Sequence, residues 1–478
     1  MLQLLLPISR SLSWPTVQMY RAALSQVGTA IAWGAAISGL SVTFNASASA
    51  AEFLAQGVSR YQKSPLESGA RENVLYRFKG GADGAGPLGP VIADGSGSLY
   101  GTTSSGGGVV SCNDTCGTVY KLTKSGGRFI ENVIYSFQGG SDGEDPVGGL
   151  VIDFSGALYG VTAGGGTGQD CNEGCGTVYK LTHGTSGFTK RILYSFRGGL
   201  DGAYPAAGLA TDRQGALYGT TYYGGGTPCD DGVGCGTVFK LTPTKSGYRE
   251  SILYSFKGGH DGLWPAANVI VVENGVVYGT TTYGGTASQP PCANGCGTVF
   301  ALTPASGGYS ETILHSFQVP PDGNYPASGL IMDRNGSVYG TTQYGGSSVC
   351  NTDCGTVFRL SPSRSGYVET ILHYFQGASD GAQPVAGLVS GMNGTLLGTT
   401  TAGGTGCALG CGTVYELKPI ASNSAVSDYL ETVLYRFTSR PDGAGPEGLI
   451  RQNNGKLYGV TFSGGELCDC GTAFEVTL

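Results

Sequence analysis

The chain has 478 residues, 85 of them glycine, with 40% hydrophobic residues, 27 tyrosines and only 13% charged residues. It carries enough apolar and aromatic residues to bury a core, which excludes a disordered tail, a coiled coil or a collagen, although glycine stands far above its average share of about 7%. A net charge of −7 without any lysine- or arginine-rich run excludes the electrostatic footprint of a nucleic-acid binder.

From the start of the chain, residues 1–50 read as a secretory signal peptide. Arg21 supplies the positive start, Gly28 to Phe44 the apolar stretch, and Ala48-Ser49-Ala50 a small-residue cleavage site. A leader beginning at Met1 would be unusually long, so Met19 is the expected true start. A membrane anchor is the competing reading, but the stretch is at the short limit for a span. Residues 51–71 form a lead-in, and residues 72–478 are repetitive throughout.

The repeat is marked by Phe78, Phe137, Phe196, Phe256, Phe317, Phe375 and Phe437, spaced 58–62 residues apart. Each unit continues with an Asp-Gly pair and a proline (Asp83, Gly84 and Pro87 in the first). A Leu-Tyr-Gly-Thr-Thr run (Leu99 to Thr103), a glycine cluster and a Gly-Thr-Val-Tyr-Lys-Leu-Thr run (Gly117 to Thr123) follow. Four short strands are predicted per unit: around Leu75 to Phe78, after the proline (Gly149 to Asp153 in the second unit), at Leu99 to Thr103 and at Thr118 to Thr123. They are rich in Tyr, Phe, Val and Thr and bounded by Gly, Asp and Pro. An Asp-x-x-Gly turn such as Asp153 to Gly156 makes a hairpin of two of them. No helical period is present.

Seven four-stranded units of about sixty residues predict an all-β, seven-bladed β-propeller; a parallel β-helix needs a much shorter repeat. The last unit ends at Leu478 without its fourth strand. The strand at 72–78 is expected to pair with it, closing the ring and removing exposed edges.

The 14 cysteines fall two per unit: Cys112/Cys116, Cys171/Cys175, Cys229/Cys235, Cys292/Cys296, Cys350/Cys354, Cys407/Cys411 and Cys468/Cys470. Local pairing, an even count and an export signal predict disulfides. Each is expected to pin a loose, glycine-rich loop. Zinc is the rival reading, but only four histidines are present and no second cysteine pair joins each C-x₃-C. Cys468 and Cys470 are the doubtful couple, since one intervening residue strains the geometry.

The recurring Leu-Tyr-Gly-Thr-Thr, Gly-Gly, Gly-Thr-Val-Phe-Lys-Leu and Leu-Tyr-Ser-Phe blocks resemble the GloVer-type (Gloeobacter/Verrucomicrobia) tandem repeats of exported bacterial proteins, over essentially all of residues 72–478. The resemblance implies an exported, surface-associated propeller, with no established activity and no catalytic residues to carry over. Family members often end in a sorting or anchor segment. None follows Leu478, which favours a secreted, periplasmic or cell-surface product without membrane attachment once the signal is removed.

The seven Asp-Gly aspartates (Asp83, Asp142, Asp201, Asp261, Asp322, Asp380, Asp442) invite a calcium reading. Each loop offers mostly one carboxylate where calcium needs six to eight oxygens, so a turn role toward nearby backbone N–H groups is expected instead. No metal and no cofactor is predicted. The glycine-rich stretches lack the Lys-Ser/Thr of a phosphate loop and precede no helix.

What breaks the sevenfold pattern is more informative. The residue before the proline is Gly86, Asp145, Tyr204, Trp264, Tyr325, Gln383 and Gly445 in turn. The residue before the Gly-Gly cluster is aromatic in the same three units, at Tyr223, Tyr283 and Tyr344. Up-and-down blades place both positions on one face, so Tyr204, Tyr223, Trp264, Tyr283, Tyr325 and Tyr344 are the candidate ligand-binding residues. Asp230, Asp231 and Tyr222 lie in the same loops. Such rings suit stacking on sugars or gripping a protein; packing of loops against one another is the other reading, and both stay open here.

Catalytic machinery is sparse. His183 is isolated, His315 and His373 replace or adjoin strand aromatics, and His260 beside Asp261 is the best single acid–base candidate. Glu144 and Asp145 are adjacent, which suits a glycosidase pair poorly. No catalytic residue is assigned. The sequence therefore predicts a monomeric binding or interaction module for a polysaccharide or surface protein. A propeller enzyme acting on polysaccharide and a protein-binding envelope scaffold are the alternatives.

Overall fold

The structure, a computed structural model, describes residues 66–67, 69–108, 112, 116–226, 229, 232–346, 354–378, 380–404, 407, 410–420, 429–466 and 468–478. The predicted signal segment, Asp230, Asp231 and Cys350 lie outside them. Among the described residues no helix is long and apolar enough to cross a membrane.

Seven antiparallel four-stranded sheets follow one another as the blades of a β-propeller. In the first blade the strands are Ala85–Ala93, Leu99–Ser105, Thr118–Ser125 and Arg128–Ser136, hydrogen-bonded in that order. The second repeats this at Glu144–Ile152, Leu158–Gly164, Thr177–Gly184 and Gly187–Ser195. The Phe-bearing segment is thus the fourth strand of each blade. First strands of adjacent blades meet where side chains are missing. A Cβ on Gly148 would lie 2.2 Å from the amide nitrogen of Gly208 in the next blade, so only glycine permits that approach.

The turn chemistry follows the sequence. Asp153 accepts the N–H groups of Ser155 and Ala157 on Oδ1 at 2.8 and 3.0 Å, and the Tyr159 hydroxyl on Oδ2 at 2.9 Å. Gly156 N–H closes the turn on the Asp153 carbonyl at 2.9 Å. The same motif recurs at Asp94, Asp212 and Asp333.

Two buried features join the parts. Within each blade a threonine near the end of the second strand shares a hydrogen bond with the one that opens the third, as in Thr221 and Thr237 at 2.7 Å. Between blades, the repeat phenylalanine meets the aromatic ring of the next third strand edge-on. Phe196–Phe239 at 5.0 Å and Phe437–Phe474 at 5.0 Å are two of the seven such pairs. Edge-to-face rings add to the burial that holds the blades together.

The ring closes as the sequence predicts. Arg71–Arg77 pairs antiparallel with Thr472–Thr477, from Arg71 opposite Thr477 to Arg77 opposite Thr472, and supplies the seventh blade's fourth strand. The lead-in contributes one strand that the sequence did not show. Leu66–Glu67 runs parallel to the sixth blade's outer edge, with Leu66 opposite Thr432.

Six predicted disulfides lie wholly within the described residues and are bonded: Cys112–Cys116, Cys171–Cys175, Cys229–Cys235, Cys292–Cys296, Cys407–Cys411 and Cys468–Cys470. Their Cα–Cα separations are 4.9–5.5 Å. Cys468–Cys470, doubtful on spacing, is among them. Of the seventh predicted pair, Cys350 lies outside the described residues, while Cys354 is within them and is disulfide-bonded. This is the pattern of a protein folded in an oxidising compartment.

Besides pinning its loop, each pair places its second cysteine in the core. Cys354 is buried in a cluster with Val357, Phe375 and Tyr415, and Cys411 in the next one with Val414, Phe437 and Leu449. The reason is position: each stands two residues before the threonine that opens the third strand, at Thr356 and Thr413. That strand is buried, so the sulfur enters the core with it, where a bonded cysteine packs as a small apolar side chain.

Candidate functional site

The residue before each repeat proline sits in the left-handed backbone region in every blade, with φ of 60° at Gly86, 54° at Asp145, 56° at Tyr204, 59° at Trp264, 56° at Tyr325, 58° at Gln383 and 63° at Gly445. A bulky side chain in this region is an outlier that the surroundings must enforce. The enforcing contact is a hydrogen bond across the blade boundary to the second cysteine of the preceding disulfide loop. Tyr204 N–H donates to the Cys175 carbonyl at 2.9 Å, Trp264 to Cys235 at 2.8 Å and Tyr325 to Cys296 at 2.8 Å. Gln383 donates likewise to Cys354 and Gly445 to Cys411, both at 2.9 Å. The buried cysteines thereby fix the backbone from which the candidate rings project.

Those rings meet. Tyr204 contacts Tyr223 with centroids 5.7 Å apart, and Tyr223 contacts Tyr222 at 4.9 Å and Trp264 at 6.1 Å. Tyr222 stacks on Trp264 at 5.2 Å, Trp264 meets Tyr283 at 5.0 Å, Tyr283 meets Tyr325 at 4.7 Å and Tyr325 meets Tyr344 at 5.5 Å. All six sequence-predicted rings, with Tyr222, form one continuous arc over the third, fourth and fifth blades. Tyr222 is buried, at 2% exposure, and the other six are half-buried.

The arc is uncharged and holds unused polar capacity. Burial, then the neighbouring Tyr325 and Tyr344, pushes the Tyr283 hydroxyl up to about 12, and burial raises Tyr222, Tyr204 and Tyr325 as well. Tyr325 donates its hydroxyl to the Pro291 carbonyl at 3.2 Å. Four side chains here hold buried polar atoms without a hydrogen-bond partner: Tyr222 Oη, Trp264 Nε1, Thr282 Oγ1 and both amide atoms of Asn324. Asn324 is 1% exposed and occupies the strand position that holds Ala203 and Leu263 in the two preceding blades.

The other candidates are not assembled for chemistry. His260 is exposed in the turn Gly259–Asp261, and His183 packs its ring on Phe188 at 4.9 Å. Glu144 is half-buried, its carboxyl raised by burial and by the charge of Glu173.

A second cluster, repeated around the ring, escaped the sequence reading. Each Asp-Gly aspartate performs the predicted turn role, accepting the N–H four residues earlier, as Asp83 does from Lys79 at 2.7 Å. It also accepts a hydroxyl from the preceding outer strand: Tyr76 donates to Asp83 at 2.5 Å, Tyr135 to Asp142 at 2.7 Å and Tyr435 to Asp442 at 2.6 Å, with Tyr194–Asp201 and Tyr254–Asp261 alike. His315 and His373 take the tyrosine's place beside Asp322 and Asp380, each at 3.3 Å.

Facing the aspartate from the next blade is a glutamic acid. Burial first, with the aspartate adding to it, raises Glu131 beside Asp83 to about 8, Glu250 beside Asp201 to about 7, Glu311 beside Asp261 to about 8 and Glu431 beside Asp380 to about 8. Glu72 beside Asp442 is held at about 7 in the same way. The seventh blade's copy lines a surface depression of about 440 Å³ with Asn73, Arg77 and Thr438. The second blade departs from the pattern: Lys190 replaces the glutamic acid and pairs with Asp142 at 2.9 Å. The signal was visible, since a glutamate stands six residues before six of the seven repeat phenylalanines.

The profile of the Gloeobacter/Verrucomicrobia repeat matches the sequence over residues 61–229, 110–354, 174–408 and 350–478. No curated protein matches the chain. Among solved structures, the chain is similar to a protein from Bacteroides uniformis provisionally assigned as a 6-phosphogluconolactonase, at 14% identity and a TM-score of 0.44, over 78% of this chain and 89% of that one. One from Bacteroides fragilis with the same provisional assignment gives 14% identity and a TM-score of 0.45 over 78% and 87%. A protein of unknown function from Dyadobacter fermentans gives 13% and 0.41 over 86% and 99%.

Proposed function

We propose that this chain, which belongs to the Gloeobacter/Verrucomicrobia repeat family, is an exported binding module whose aromatic arc takes a carbohydrate or a similar hydroxyl-rich polymer of the cell surface. The observation that carries this reading is the unbroken run of rings from Tyr204 to Tyr344, confined to three consecutive blades of an otherwise regular ring. A purely structural role would be expected to repeat around the propeller, as the buried phenylalanine pairs do. The arc instead replaces Gly86, Asp145, Gln383 and Gly445 of the other blades.

Its chemistry suits sugars. Neutral phenol and indole faces stack on pyranose rings, and their polar edges bond hydroxyls. The partnerless Trp264 Nε1 and Asn324 amide would gain partners from hydroxyls entering between the rings. The disulfides fit the export that the leader predicts.

The test is retention of the full chain on a panel of insoluble polysaccharides, compared with Trp264→Ala and Tyr283→Ala. Retention on one glycan class, lost in both variants while both stay folded, supports the reading. Retention on none, or retention that both variants keep, removes the arc as a glycan site.

A further inference from the structure

We propose that His315, Asp322 and Glu369 form a binding site for a divalent transition metal, zinc being the fitting ion, at the outer boundary between the fourth and fifth blades. The three residues arrive from three places. His315 lies on the fourth blade's outer strand Gly308–Ser316, Asp322 in the connection that follows it, and Glu369 on the fifth blade's outer strand Gly366–Tyr374. Their ligand atoms all lie within 4.8 Å of one another.

The separations match a coordination shell. His315 Nε2 is 3.3 Å from Asp322 Oδ2 and 3.5 Å from Glu369 Oε1. Zinc bonds to nitrogen and oxygen of about 2.0–2.1 Å give a tetrahedron with edges of roughly 3.3–3.4 Å. Asp322 is held in place by the N–H groups of Gln318 at 2.9 Å and Gly323 at 2.8 Å, the outer support that metal-binding carboxylates use. Glu369 Oε1 is buried and accepts no hydrogen bond. The side chains are 20%, 13% and 18% exposed, which leaves a fourth corner for water, as in three-ligand zinc sites.

Charge argues the same way. Two facing carboxylates repel unless one keeps its proton or a cation stands between them, and here His315 faces both carboxylates, whereas His373 pairs with Asp380 alone. A divalent cation neutralises both carboxylates here, with Glu369 releasing its proton and His315 binding as the neutral imidazole. Tyrosine at this corner is a donor to the aspartate and a poor ligand, so five of the boundaries have no equivalent site. His373 reaches Asp380 at 3.3 Å, but among the described residues no third ligand atom completes that cluster within the same reach.

The substitution that tests this is one the repeat itself supplies. His315→Tyr installs the residue of five sister blades, so the fold is expected to survive, and His373→Tyr is the matched control. The full chain, stripped with a chelator under non-reducing conditions, is titrated with zinc by calorimetry. Cobalt(II) serves as a second probe, through its visible absorption in a tetrahedral site. The expected result is one zinc per chain, bound at least about tenfold more weakly by His315→Tyr and unchanged in His373→Tyr, with a tetrahedral cobalt spectrum lost in the first variant only. No zinc bound at millimolar metal, or equal binding by His315→Tyr, overturns the proposal.

Discussion

Tyr222 and Trp264 stack across a blade boundary, with ring centroids 5.2 Å apart and planes 20° from parallel. Tyr222 lies near the end of the third blade's second strand and Trp264 in the segment leading into the fourth blade, so the contact ties the third blade to the fourth. It also divides the arc into a buried anchor, Tyr222 at 2% exposure, and half-buried rings that flank it.

That division predicts two kinds of variant. Tyr222→Ala empties a buried site and is expected to cost about 3 kcal/mol or more of stability. Tyr283→Ala removes a half-buried ring and is expected to cost roughly half that, with its main effect on ligand binding. Urea unfolding of both variants, with the disulfides intact, measures the difference.

The carboxyl clusters between blades predict an unusual pH dependence. Glu131, Glu311 and Glu431 are held at about 8, and Glu72 and Glu250 at about 7, against an ordinary 4.5. Glu447, buried in the last blade, is raised to about 8 by burial alone. The native state keeps protons that the unfolded chain releases. This contribution is fully present below the unfolded value of 4.5 and is lost as pH rises through 7 to 8. The urea midpoint is expected to fall from about pH 4.5, where the unfolded carboxyls ionise, to about 8, and to level off above it. Glu311→Gln keeps a donor toward Asp261 with no proton to lose, so it should flatten the decline, gaining stability on the alkaline side and little on the acid side.

Lys190 marks the one boundary where a cation replaces the glutamic acid. Its side chain is 4% exposed, with the ammonium 2.9 Å from Asp142 Oδ1 and 4.6 Å from the centre of the Phe137 ring. Removing one partner of a buried pair costs about 3–5 kcal/mol. Asp142 keeps 25% of its side chain exposed and regains some hydration, so Lys190→Met should lose about 2–3 kcal/mol, read from urea midpoints at neutral pH.

The left-handed residue before each proline predicts a gain. Gln383 holds φ at 58° where the first and seventh blades carry Gly86 and Gly445. Left-handed backbone costs an ordinary residue roughly 1–2 kcal/mol, and glycine returns part of that through its freedom when unfolded. Gln383→Gly should therefore stabilise by about 0.5–1 kcal/mol, seen as a higher melting temperature. A loss of stability would show that the glutamine side chain holds the loop.

The sequence made the propeller legible because its signals are local. Strand composition, the Asp153 turn and the spacing of Phe78 to Phe437 lie within one unit, and the missing last strand named its own partner at Arg71–Arg77. The aromatic arc was legible for a similar reason, since a departure such as Trp264 stands out against six aligned positions. The Asp83–Glu131 pairing was not, because Asp83 lies in a connecting turn and Glu131 on the next blade's outer strand, and they meet only when a blade packs on its neighbour. The core placement of Cys354 and Cys411 was hidden in the same way, since the rings that cover them, Tyr415 and Phe474 among others, come from the following blade. The left-handed φ of Trp264 is set by the Cys235 carbonyl across a boundary; in the sequence only Gly86 and Gly445 at the same position hinted at it. Asn324, flanked by strand residues, carried no sign that its amide would be buried and unpaired.

The most direct test of the binding account is the tryptophan fluorescence of the full chain, titrated with a panel of soluble polysaccharides. Trp14, Trp33 and Trp264 are its three tryptophans, so subtracting the Trp264→Phe signal isolates the ring within the arc. The account predicts a saturable change with one glycan class, absent from Trp264→Phe and lost in Tyr283→Ala. A flat response across the panel, or one that Tyr283→Ala retains, would contradict it and leave the arc as packing between three blades.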